Sequence, residues 1–313
     1  MKILLDTGVI SSADFLEGDS RIQELKWGSG STRITIAGFR RIEPVHDADQ
    51  QNEKEALFTI GRLVREGRIT LHTYSELNIE IWRRPRGRDP LLNAFLGCQI
   101  TQCPAPVERS KFRATIDMNN WIAKGGKSNR DKGIPPSESS QIAFFQWLSN
   151  LPNEATAAFL NHSKLLGLDD FEVLSLQDLP WFQTLARAFV SPENLPDCFH
   201  LWTARRNGMH TLLTLEKKLP RTIAQLRNRK RGAIDPGLAV LRPTGLLRQL
   251  NVMEVIEVPV EPGRFYSYME IFALQDRLLE GQLATKKLAE RAPPFNSKSP
   301  AFSNNTSVDP RID

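Results

Sequence analysis

Residues 69–84 read ITLHTYSELNIEIWRR, and the change of period inside this stretch decides the fold class. Ile69 to Tyr74 is a short run of β-branched and aromatic side chains, the signature of a strand. Ser75 is a good helix N-cap, and Leu77 and Ile81 then recur at helical spacing, with Glu76 and Glu80 on another face. Pro85 ends that helix. Upstream, Leu57, Ile60 and Val64 mark a helix over 50–66, with Gly67 as its C-cap. Further upstream, WGSGST at 27–32 reads as a flexible loop, and Ile34 and Ile36 alternate with Thr35 and Ala37 in a short strand. Lys2 to Leu5 form a buried strand whose carboxyl end delivers Asp6. Strand, helix, strand and helix in alternation predict an α/β layer with a mostly parallel sheet.

Downstream the texture changes. Residues 97–140 hold Gly125-Gly126 and Pro135-Pro136 and read as a loop or lid. Helical patterns follow at 138–150 and 154–166, and Phe171-Glu172-Val173-Leu174 reads as a strand. Together these form a partly helical insertion at about 97–190. A helix over 197–207, an apolar strand from Met209 to Leu215, a basic helix over 221–231, a strand over 238–241 and a short helix from Pro243 to Leu250 complete a domain spanning 1–250. A C-terminal unit, 251–291, holds a strand from Val252 to Val260 and an amphipathic helix from Tyr268. The Pro-, Ser- and Asn-rich tail, 292–313, reads as disordered.

Composition bounds the function classes. No apolar run exceeds four residues, whereas a membrane-spanning helix needs about 20. The opening MKILLDTGVI lacks the long apolar core of a secretory signal. Three cysteines imply no disulfide framework, and a reducing cytoplasm is the expected compartment. Lys and Arg number 41 against 36 Asp and Glu, giving +5 and a pI of about 9.2, a mild bias towards a polyanionic partner.

The placement of four acids is the most informative feature. Asp6 follows the first strand, Glu80 lies on the helix after the second, Asp197 opens a helix, and Glu216 closes the apolar strand. In a parallel sheet the carboxyl ends of strands share one edge, so acids distant in sequence converge there. Converging carboxylates repel unless a cation compensates them, and all-oxygen donors suit Mg²⁺ or Mn²⁺. Such an ion activates water and stabilises charge on a phosphoryl group. Singly, each acid reads first as a cap or a surface charge; it is the set, with strand-end placement at three of the four positions, that points to a site.

At this point the sequence resembles a family. ILLDTGVI looks like the first motif of PIN-domain nucleases. YSELNIEIWRRP resembles the middle motif, and LPDCFHLWTARRNGMHTLLTLEKKL, residues 195–219, is similar to the two later ones. The resemblance implies an α/β/α sandwich with a mostly parallel central sheet. It implies a metal-dependent endoribonuclease with Mg²⁺ or Mn²⁺ as cofactor, of the toxin–antitoxin type. The implied partners are nucleic acid, RNA ahead of DNA, an antitoxin or other protein, and a second copy in a homodimer. Asp6, Glu80, Asp197 and Glu216 would be the catalytic and metal-site acids, with Thr214 steadying the site through its hydroxyl. Glu76, one turn from Glu80, competes for the middle position. Gly8 stands where the family usually has Asn, and Glu216 where Asp is usual, which leaves open a relative that binds without cutting. A DNA-directed nuclease is the third reading.

Other groups admit two roles each. Arg83, Arg84, Arg86 and Arg88 follow Glu80, and Lys217, Lys218, Arg221, Arg227, Arg229, Lys230 and Arg231 follow Glu216; both runs read as phosphate anchors or as solvated faces. Cys98, Cys103, Cys198 and His200 form an irregular zinc candidate or simply reduced thiols. His200 either orients a site group or is structural. Gly125-Gly126-Lys127-Ser128 lacks the full phosphate-loop spacing, and Trp121, Trp147 and Trp181 either stack bases or pack a core.

Overall fold

In a computed structural model of the chain the described residues are 1–83, 92–112, 137–189, 191–228 and 234–291. Five parallel strands form the central sheet: β1 (Lys2–Leu5), β4 (Thr70–Thr73), β5 (Ile100–Gln102), β6 (Thr211–Leu213) and β7 (Ala239–Leu241), in the order β5-β4-β1-β6-β7. Helices cover both faces, as an all-parallel sheet requires. The alternation within β1 shows why: Ile3 and Leu5 enter one hydrophobic cluster and Leu4 the other.

On the Ile3 side lie α1 (Thr7–Ser11), α2 (Ala48–Arg65), α10 (Pro243–Gln249) and α11 (Tyr268–Arg291). On the Leu4 side lie α3 (Ser75–Arg83), α4 (Ser137–Ser149), α5 (Asn153–Asn161), α6 (Asp170–Gln177), α7 (Leu179–Phe189), α8 (Leu195–Arg206) and α9 (Lys218–Arg227). Phe144, Phe145, Phe182, Phe199 and Trp202 fill that cluster with stacked and edge-on rings. The chain is thus an α/β/α sandwich.

Several local expectations change. The 97–140 stretch does not begin as a loop: Ile100–Gln102 pairs with β4 as an edge strand of the sheet. The stretch around Phe171–Leu174 is helical, because Asp169 and Glu172 make a reciprocal capping box that starts α6. A four-residue apolar run alone does not separate the two periods. WGSGST is the tip of a long hairpin, β2 (Leu16–Trp27) with β3 (Gly30–Arg41), closed at Gly28-Ser29 with Gly28 at φ +58. Beyond its base the arm leaves Ile22, Leu25 and Trp27 exposed. Val252–Val260 forms no strand. It runs extended over α2, anchored by Ile256 N–H to Thr59 Oγ1 (2.9 Å) and by the buried Arg41 to the Val260 carbonyl (3.1 Å). The short strand nearby is β8 (Phe265–Tyr266), on β3. Arg84, Arg86 and Arg88, Trp121, the Gly125–Ser128 run, Arg229 to Arg231 and the 292–313 tail lie outside the described residues, as does the Arg83 side chain.

Gly61 marks the tightest approach in the core. A Cβ there would lie 2.0 Å from the Ala94 carbonyl oxygen, a backbone atom that cannot swing away. Overpacking of this kind costs about 1–3 kcal/mol. Gly61→Ala is expected to melt clearly below the wild type. Gly18→Ala, with nothing within 4 Å of the new methyl, is expected to stay within about 0.5 kcal/mol of it. Thermal melts of both variants check this.

Candidate active site at the carboxyl edge of the sheet

From β1 the chain steps outward to β4 and β5, then returns to the other side of β1 for β6 and β7. The helices that follow β1 and β6 lie on opposite faces of the sheet, the arrangement that in such folds places a binding site outside the carboxyl ends of the strands. Asp6 sits there, its N–H bonded to the Leu213 carbonyl at 2.9 Å. Thr214, fully buried, donates its hydroxyl to Asp6 Oδ2 at 2.7 Å and accepts the Glu216 N–H at 3.1 Å. One hydroxyl thereby ties the end of β1 to the turn after β6.

Glu80 arrives from α3. Thr7 donates its hydroxyl to Glu80 Oε2, and Gln141 of α4 donates to Oε1 at 2.8 Å. Glu76 goes elsewhere: it is buried and accepts from Arg109 Nε at 2.9 Å. Burial pushes the Glu76 carboxyl up and Arg109 pulls it back. The helical-turn ambiguity therefore resolves in space, with Glu80 turned to the crevice and Glu76 to a structural ion pair.

Asp197 lies in the first turn of α8. Burial pushes its carboxyl up; His200 opposes, and the charges of Glu216, Asp6 and Glu80 add to the rise, which reaches about 7. Glu216 is the most exposed of the four. Partial desolvation and then Asp6 push it above the usual range, while Lys218 and His200 pull it down. The acids thus share one electrostatic neighbourhood. Their oxygen donors suit a hard divalent cation in kind. Among the described residues, however, no three His, Cys, Asp or Glu side chains are already drawn together tightly enough to hold one.

Two further expectations meet different geometry. The Lys217 ammonium lies 2.7 Å from Asp47 Oδ2 and 3.0 Å from Asp49 Oδ2, so its charge is engaged in joining the β6 turn to the start of α2. Lys218 stays exposed beside Glu216. The zinc candidate dissolves: Cys103 and Cys198 are buried in the Leu4-side cluster, Cys98 packs on the Ile3 side against the Gly61 carbonyl, and burial raises all three thiols, Cys103 to about 11. Trp147 and Trp181 pack against the Leu4-side core. Thr7 and Gln141 were not legible beforehand. Thr7 had a signal in its adjacency to Asp6; Gln141 had none, being 61 positions from Glu80.

Comparison with protein-family models, with characterised proteins and with solved structures finds no match. Among the described residues no helix is long and apolar enough to cross a membrane.

The raised Asp197 carboxyl has a sign. Between the usual carboxylate value and about 7 the folded chain holds a proton that the unfolded chain releases, so stability falls as pH rises through that window. Asp197→Asn is expected to raise the melting temperature at about pH 8 by several degrees, with the gain shrinking at about pH 5. Melts of both proteins in chelator check this; an Asn variant less stable at both pH values would contradict the crowding of charges.

Proposed function

We propose that the chain is a PIN-like endoribonuclease, hydrolysing phosphodiester bonds with Mg²⁺ or Mn²⁺ at the carboxyl edge of its sheet. The observation that carries this reading is geometric: the Thr214 hydroxyl joins Asp6 to the Glu216 backbone at the carboxyl ends of adjacent parallel strands. The charges of Asp6, Glu80 and Glu216 act on Asp197 at this edge, where such folds bind ligands. Asp6, Glu80, Asp197 and Glu216 would hold the ion. When bound, a divalent cation there supplies neutralising charge to the acids and Lewis acidity towards a phosphodiester.

The chain's own residues have separable tasks in this reading. Thr214 holds Asp6 and the Glu216 backbone in one register. Thr7 and Gln141 orient the Glu80 carboxylate. Lys218 lies beside the acids as a phosphate anchor, and the sequence adds Arg83 and Arg84 to that role. An antitoxin or other protein partner and a homodimer belong to the same proposal, as does a cytoplasmic location.

A second reading is a PIN-like module that binds RNA or a protein without cutting. The absence of a tight three-ligand group among the described residues favours it. DNA as the substrate is the remaining variant of the first reading.

The test joins metal binding to cleavage. Mn²⁺ titrated by calorimetry and chelator-sensitive cleavage of single-stranded RNA are expected in the wild type. Asp6→Asn and Glu80→Gln are each expected to lower cleavage by about 100-fold or more while folding normally. Matched RNA and DNA oligonucleotides give the preference. Wild-type cleavage in both variants would falsify the nuclease reading; tight RNA binding with no cleavage in any divalent ion would establish the second.

A further inference from the structure

A cleft of about 450 Å³ lies at the amino ends of β6 and β7, on the opposite edge of the sheet from the acids. It is lined by Arg205 and Arg206 at the end of α8, by Asp178 between α6 and α7, and by Gly208, Pro236 and Gly237. Asp197 is in the first turn of α8 and Arg206 ends it, so roughly 13 Å of helix, at 1.5 Å per residue, separates the two places.

Both guanidiniums are fixed from behind. Arg206 donates its Nε–H to the Ser175 hydroxyl at 3.1 Å. Ser175, fully buried on α6, spends its own proton on the Phe171 carbonyl at 2.7 Å. The Arg206 guanidinium also lies over the Phe171 ring, 5.8 Å from its centre. Arg205 lies over the Trp181 ring at 4.9 Å, with its Nε 3.5 Å from Asp178 Oδ2. Each side chain is thus held by its Nε edge and by one aromatic face. Among the described residues no hydrogen-bond acceptor takes the terminal Nη groups of either arginine. Gly237, at φ +72, keeps the wall clear of them, since a Cβ there would lie 3.3 Å from Arg205 Nη1.

The charges lining the cleft do not balance. Two guanidiniums face the single carboxylate of Asp178, and among the described residues no carboxylate pairs with Arg206. Asp235, beside the cleft, is engaged by Arg227 Nε at 2.9 Å and by the Gly237 N–H at 3.0 Å. Cations at the carboxyl end of a helix complement its dipole, which accounts for positive charge there but not for the pinning of both Nε edges. The same dipole disfavours an anion, so an anion bound here is held by the arginine forks.

We propose that this cleft binds a phosphate group through the Nη forks of Arg205 and Arg206. A guanidinium fork matches phosphate oxygens in bidentate geometry, and a fork already held in place loses little freedom on binding. The phosphate belongs to the backbone of a nucleic-acid strand or to a terminal or free phosphate; the chemistry that recognises it is the same. The inference is independent of the nuclease reading, because the acids at the carboxyl edge take no part in it.

Calorimetric titration in chelator, which keeps metal-dependent cleavage out of the readout, tests it with three probes. These are inorganic phosphate, single-stranded RNA without a terminal phosphate, and the same RNA with a 5′ phosphate. Binding of at least one probe is expected, weakened about 10- to 100-fold by Arg206→Gln and by Arg205→Gln. Arg206→Lys, which keeps the charge without the fork, is expected to bind more weakly than the wild type as well. Arginine-dependent binding of the RNA that lacks a terminal phosphate identifies a backbone phosphate, and the slope of log K against log salt then shrinks by about 0.7 per arginine removed. Binding confined to inorganic phosphate or the 5′-phosphorylated strand identifies a terminal or free phosphate. No binding of any probe, or full affinity in any of the three variants, overturns the proposal. Thermal melts separate a lost contact from a lost fold. Should the Arg206 variants fail to fold, Arg205→Gln, at an exposed side chain, carries the test.

Discussion

The Thr214 hydroxyl, bonded at once to Asp6 Oδ2 and to the Glu216 N–H, is the interaction on which the carboxyl edge of the sheet depends, because it ties the end of β1 to the turn after β6. Burial is the first cause that raises the Asp197 carboxyl to about 7, and the charges of Glu216, Asp6 and Glu80 add to it. Asp6 and Glu80 are held by hydrogen bonds to their carboxylates, and Glu216 through its backbone. A threonine hydroxyl lies between Asp6 and the Glu216 backbone, and a threonine and a glutamine hold Glu80 from two helices. Large hydrophobic clusters on both faces of the sheet supply the stability of the fold.

The same lens sorts the remaining charges. Buried ion pairs away from the crevice bind elements together. Glu76 holds Arg109; Glu53 accepts both the backbone and the hydroxyl of Thr244 at the start of α10; Arg41 joins Glu55 to the extended segment over α2. Lys217, adjacent to a candidate site acid in sequence, forms an exposed ion pair instead, with two aspartates near the start of α2. Proximity in sequence to a functional acid is a weak guide to a cation's role. What decides is whether another acid has already engaged it.

Legibility in the sequence followed physical locality. The strand and helix around 69–84 could be read because its period changes from strand-like to helical beside a capping serine. The end of α2 could be read because Gly67, at φ +72, is the residue type that position demands. Of the β2–β3 arm only the alternation of Ile34 and Ile36 in β3 could be read, because most of the rest has no buried face and therefore no apolar alternation to detect. The segment after Val252 carried strand-like alternation for another reason: its inward residues pack on α2 without any strand to pair with. β5 went unseen because three residues are too few to show a period.

For this chain the sequence alone was enough for an α/β class with a parallel sheet and for Asp6, Asp197 and Glu216 as acids near strand ends or helix starts, since those follow from local period and capping chemistry. Only the tertiary structure paired Glu76 with Arg109, brought Gln141 and His200 near the Glu80 carboxylate, and joined Lys217 to two aspartates of another element. Those outcomes depend on which faces of α3, α4 and α8 meet across the sheet edge. Such meetings are set by packing between residues far apart in the chain, and no local pattern encodes them.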